Sequence, residues 1–219
     1  MITNKFRAFL ANQLGFPKGW FGKLLIRFLN RNNAMMNNIV LQNLDLQAGD
    51  RILEIGFGGG YLIEQIANTA LPQIIVGVEQ SQDAIDLCKQ KFRTQINKSE
   101  IELHLADAIE LPLPDRSFDK ICTVNTIYFW ADLSKVFAEC FRVLADDGKL
   151  LISYNSKDFL SKQKFAKHGF IGYEVSEIES ILKMAGFVNV TTITRHSDRH
   201  QEFFCTSATV PLRHWLKIS

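Results

Sequence analysis

A chain of 219 residues, 47% hydrophobic and 22% charged with a net charge of +2, holds enough apolar material for one well-filled core and a short appendage. No run approaches the roughly 20 apolar residues that a membrane-spanning helix needs, and no compact apolar signal region with a small-residue cleavage site stands at the start. These absences predict a soluble, unsecreted, cytoplasmic protein.

Cys88, Cys122, Cys140 and Cys205 form no C-x-x-C pair and fall in segments patterned as helix or strand, which reads as free thiols in a reducing compartment. Charge is unevenly spread. Lys5, Arg7, Lys18, Lys23, Arg27 and Arg31 all precede the first acidic residue, Asp45, and the remainder is mildly acidic. Six cations over a long Phe-rich segment give no electrostatic track for nucleic acid.

Residues 1–44 place apolar side chains at near-helical spacing (Phe6, Phe9, Leu10; Leu24, Leu25, Phe28, Leu29), broken between Gly15 and Gly19 around Pro17. This predicts two or three helices forming an N-terminal helical cap. Three readings of the segment stand: a cap that closes over substrate, a membrane-surface helix drawn to anionic lipid, or an Arg-rich transit peptide. The Gly-Pro break favours a shaped cap over one continuous helix, while Trp20 and Phe21 beside Lys18 and Lys23 keep a membrane surface open as a partner.

From Arg51 onward short apolar runs alternate with amphipathic segments, predicting strands at 51–55, 73–79, 101–105, 118–124 and 148–154 and helices near 59–69, 82–95 and 132–144. Residues 155–173 read as a substrate lid, followed by a helix over 175–185 that Gly186 ends. Two alternating segments, 188–194 and 201–209, predict a C-terminal antiparallel hairpin. The expected core, residues 45–219, is a doubly wound, Rossmann-like α/β domain with a seven-stranded, mostly parallel sheet.

The first strand runs into Gly56-Phe57-Gly58-Gly59-Gly60 and then a helix. Glycines there permit a tight turn and bring a ligand close to backbone, and the helix start offers unpaired N–H groups. Two nucleotide readings fail on spacing. The dinucleotide fingerprint needs glycine at its sixth position, where Tyr61 stands, and a P-loop needs Lys then Ser or Thr after the last glycine. Acidic residues recur at successive strand ends. Glu54 precedes the turn, Glu79 follows the second strand at roughly the 20-residue offset that suits a ribose diol, and Asp107 follows the third, where a short acid can accept from an exocyclic amine.

The string from Glu54 to Gly60, Val78-Glu79, Ala106-Asp107-Ala108 and the stretch from Phe118 to Asn125 resemble, over roughly residues 40 to 210, the successive motifs of class I S-adenosylmethionine-dependent methyltransferases. The resemblance implies that Glu54, Gly56, Phe57, Gly58 and Gly60 hold the methionine part of S-adenosyl-L-methionine. It further implies Glu79 and Gln80 at the ribose, Asp107 and Ala108 at the adenine, and Asn125 and Thr126 on the cofactor's reactive side. Tyr128-Phe129-Trp130 resembles the aromatic stretch of the family's small-molecule branch, so the implied partner is a small-molecule acceptor and the product S-adenosyl-L-homocysteine.

Methyl transfer from a sulfonium is an in-line displacement that needs no metal, and positioning and desolvation carry most of it. Aromatic faces can stabilise the sulfonium, which gives Tyr128, Phe129 and Trp130 a role as well as a packing reading. A general base is needed only for some acceptors; Tyr128, His168 and Tyr173 are the candidates. His196 and His200 lack a matching Cys or carboxylate, so no metal is expected there. A lipid or quinone acceptor at a membrane surface, an NAD(P)-dependent oxidoreductase and a non-catalytic S-adenosylmethionine-binding protein are the alternatives.

Overall fold

The computed structural model describes residues 13, 33–163, 166–167, 169–197 and 201–212. Most of the expected cap lies outside the described residues. Its last part is a helix, α1 (Ala34–Asn43), which buries Met36, Asn37 and Val40.

Alternation along the strands decides the layering. In β1 (Arg51–Ile55), Leu53 and Ile55 join one apolar cluster and Ile52 the other. In β5 (Leu144–Asn155), Leu150 and Ile152 face the first cluster and Leu151 the second. Strands buried on both faces must be covered on both. One cover consists of α1, α2 (Tyr61–Ala67) and α3 (Gln82–Lys91), through Val40, Ile63, Ile66, Ile85 and Cys88. The other consists of α5 (Leu133–Val143) and α7 (Val175–Met184), through Val136, Phe137, Ile178 and Leu182.

The remaining strands are β2 (Ile74–Glu79), β3 (Ile101–Leu105), β4 (Phe118–Val124), β6 (Val188–His196) and β7 (Glu202–Thr209), and the sheet order is β3-β2-β1-β4-β5-β7-β6. The first five neighbours are parallel, and β7 lies antiparallel between β5 and β6. This is the expected doubly wound sheet closed by a C-terminal hairpin.

Local chemistry accounts for several boundaries. The Ser81 hydroxyl caps α3 by accepting from Ala84 N at 3.3 Å, and Asp132 caps α5 by accepting from Lys135 N at 3.1 Å. The helix expected over 82–95 is divided into α3 and α4 (Arg93–Asn97), because Phe92 leaves helical geometry with φ −102° and buries its ring. β5 starts earlier than the pattern suggested. Within the expected lid lies a short helix, α6 (Lys157–Lys162), capped by Ser156, and a 3-10 turn spans Ile127–Phe129. Arg51 grips Asp119 with two guanidinium bonds of 3.0 and 2.9 Å, which fixes the start of β1 against β4 and holds the Asp119 carboxyl below its usual range.

Leu53 is fully buried between β2 and β4 at the centre of the sheet. Leu53→Ala is expected to cost about 2–5 kcal/mol of stability in urea unfolding; a loss well under 1 kcal/mol would show that the sheet centre refills the space.

Candidate functional site

β1 has β2 on one side and β4 on the other, so the chain reverses direction of progress across the sheet at its carboxyl end. Crevices at such switch points take ligands in open α/β sheets. The turn after β1 occupies this crevice. Gly56, Gly58 and Gly60 all have positive φ, +74°, +51° and +65°, a region that only glycine enters at no steric cost. At two of them packing also demands glycine. A Cβ on Gly56 would lie 2.3 Å from Thr126 Cγ2, and one on Gly60 would lie 2.6 Å from the Phe92 ring. At Gly58 a Cβ would meet nothing within 4 Å, so that residue opens onto free space.

Glu79 ties the turn to β2. Its Oε2 accepts from Gly58 N at 3.0 Å, and its Oε1 accepts from Gln80 N at 2.8 Å and Ser81 N at 3.0 Å. Burial raises the carboxyl above its ordinary range and the three amides work against that rise. On the carbonyl side of the turn, the Cys88 thiol donates to Gly58 O at 3.5 Å, and Lys91 Nζ donates to Gly59 O at 3.4 Å and Gly60 O at 3.3 Å.

Glu54 is 3% exposed. Burial pushes its carboxyl up to about 8, against the hydrogen bond from the Ile63 amide; the Glu79 charge adds to the rise and Lys91 opposes it. Its Oε2 is buried with no hydrogen-bond partner. A buried carboxylate oxygen without a partner is costly in a native structure, and this one adjoins the turn and its second acid.

At the tip of β3, Asp107 is exposed and accepts from Ile109 N at 3.1 Å, while Ala108 is buried. Leu105 and Ile109 on either side are apolar yet 52% and 40% exposed. A carboxylate flanked by bare apolar side chains suits a flat ring with an edge donor.

Past β4 the rim changes character from acidic to neutral. Thr123 Oγ1 donates to Ile55 O at 2.8 Å and also bonds the Thr126 hydroxyl. Asn125, with φ +58°, donates from Nδ2 to Asn33 Oδ1 at 2.9 Å and to Met36 Sδ at 3.2 Å, and accepts on Oδ1 from Tyr128 OH and Asn155 Nδ2, both at 2.9 Å. Gln201 Nε2 donates to Asn155 Oδ1. Four carboxamides from four parts of the chain therefore interlock at one edge.

Two of the expected site side chains point inward. Tyr128 is 2% exposed, and its hydroxyl also accepts from the Asn155 backbone N–H; burial drives its pKa far up, and the phenol braces the end of β5. The Phe57 ring is buried against Gly77, where a Cβ would come within 2.6 Å of it, so this side chain supports the turn from within the core. Tyr173 is partly buried, with its phenol raised by burial and by the nearby Glu177 and Asp132. His168 and His200 lie outside the described residues, and His196 sits 3.9 Å from Glu202 across the hairpin.

Residues 53–152 match the family model described as a methyltransferase domain. An uncharacterized methyltransferase, YdaC of Bacillus subtilis, is 26% identical over 58% of this chain and 67% of its own length. A demethylmenaquinone methyltransferase of Lactobacillus johnsonii is 33% identical over 53% of this chain and 48% of its own, so the chain spans about half of that relative. The crystal structure of a SAM-dependent methyltransferase from Aquifex aeolicus superposes with a TM-score of 0.68 at 19% identity, covering 84% of this chain and 96% of the other.

The matched segment is a little under half of the chain, and the superposition shows the fold that this chain shares with that methyltransferase. That segment contains the glycine turn, Glu54, Glu79, Asp107 and Asn125. Asn33, Asn155, Gln201 and Phe170 went unmarked in the sequence. Asn155 had a signal, since it follows the end of β5 as Asn125 follows β4; Asn33 and Gln201 had none, because only the fold brings them to that rim.

A carboxyl raised from 4.5 to about 8 keeps its proton in the folded state where the unfolded chain has released it. Its penalty therefore sets in as pH rises above 4.5, grows up to about 8 and is constant beyond. Glu54→Gln should flatten the melting temperature of the ligand-free protein across that window and raise it at the alkaline end. Parallel decline of parent and variant would show that Glu54 ionises without this penalty.

Proposed function

We propose that the chain is a class I S-adenosylmethionine-dependent methyltransferase that transfers the methyl group of S-adenosyl-L-methionine to a small-molecule acceptor in the cytoplasm. One observation carries the reading: Gly58 opens onto free space beside the Glu79 carboxylate that accepts its amide, and Glu54, four residues earlier, keeps a buried oxygen without a partner. The donor set suits the cofactor. Glu54 answers an ammonium, the glycine turn admits the methionine chain beside Gly56, Phe57, Gly58 and Gly60, and Glu79 with Gln80 answers a ribose diol. Asp107 and Ala108, between Leu105 and Ile109, suit adenine, and Asn125 and Thr126 stand on the reactive side.

When bound, the cofactor supplies an electrophilic methyl on a sulfonium. The chain's part is to hold the reactants in line and keep water away. The neutral rim suits that part, since interlocked carboxamides present fixed dipoles without a competing nucleophile. Residues 155–173 serve as the cover in this reading: Phe170 packs on Phe129 at 4.6 Å and on Tyr128 at 6.0 Å, and Ile171 N donates to Tyr128 O at 3.1 Å. Tyr173 and His168 are the residual base candidates for an acceptor that needs one. A quinone or lipid acceptor is the second reading, favoured by the 33% identical demethylmenaquinone methyltransferase.

Incubation with methyl-labelled S-adenosylmethionine and a panel of metabolites, quinols and lipid vesicles should label a soluble metabolite; label entering only vesicle-borne acceptors would select the second reading. Glu79→Ala should weaken cofactor binding at least about tenfold, because charged hydrogen bonds contribute about 1.5–3 kcal/mol each, and Gly58→Val should do the same by filling the notch. Unchanged dissociation constants for both would move the cofactor elsewhere.

A further inference from the structure

A turn built of glycines has the most backbone entropy to lose, so something must hold it. Cys88 and Lys91 stand three residues apart on one face of α3. Between them they take the carbonyls of Gly58, Gly59 and Gly60. Lys91 also bonds Glu64 Oε2 on α2 at 3.0 Å, which commits three donor bonds from one ammonium. Its charge lies 5.0 Å from the centre of the Phe92 ring, the ring that packs against Gly60.

The ion pair with Glu64 is half exposed and contributes little by itself, so the importance of Lys91 lies with the turn.

We propose that Lys91 is a positioning residue of the cofactor site, fastening the glycine turn by its carbonyls. This rests on the cofactor reading given above. Lys91→Met removes the donor to the carbonyls, Lys91→Arg keeps one, and Glu64→Gln removes only the surface pair.

The test is titration calorimetry of S-adenosylmethionine and S-adenosylhomocysteine from about pH 6 to 9, with melting of the ligand-free proteins as the fold control. Ligand ammonium titration, near pH 7.7–8.0 for an α-amino group, is common to all variants and cancels in the comparison. Lys91→Met should lose affinity about tenfold or more at neutral pH, and Lys91→Arg and Glu64→Gln should stay within about threefold. Lys91→Met binding with the parent's affinity would overturn the role of Lys91 while leaving the cofactor reading intact. A parent protein that binds neither ligand would overturn both.

Discussion

The glycine turn stands because one buried carboxylate accepts from the segments on either side of it. Glu79 takes the Gly58 amide with one oxygen and the Gln80 and Ser81 amides with the other. Burying a charge is tolerable only when hydrogen bonds replace water, and here the replacement is entirely backbone. The same bonds orient the first turn of α3, whose far end grips the turn's carbonyls through Cys88 and Lys91. The notch is thus shaped before any ligand arrives, which lowers the ordering cost of binding.

Against this closed frame stands Glu54, buried beside Glu79 with one oxygen unmatched. Native structures tolerate such a defect where function requires it. On the proposed reading, its position two residues before the first glycine suits a cationic group of the ligand.

Much of this was legible in the chain itself. β1 and β4 fall where short, largely apolar runs put them, and β3, an edge strand buried only at Ile101, falls where Ile-Glu-Leu-His-Leu alternates. The acids at the tips of β1, β2 and β3 were legible for the same reason, being anchored to those runs. What escaped depends on direction and on distant partners. Residue type identified Tyr128 and Phe57 but not where a hydroxyl or a ring would point, and both turn inward. Phe92 ends α3 because its ring is needed against Gly60, a contact no periodicity encodes. Gln201 reaches Asn155 only because β7 runs antiparallel beside β5, placing its first residues at the rim where β5 finishes.

The two halves of the rim also differ in where they come from. The acids and the glycine turn all lie within residues 53–152, whereas three of the four interlocked carboxamides, Asn33, Asn155 and Gln201, lie outside that span. On the proposed reading, the part of the protein that handles the common donor and the part that meets the acceptor are encoded separately. Substrate preference could then diverge among relatives, or be exchanged by grafting the flanks, while the donor machinery is inherited unaltered.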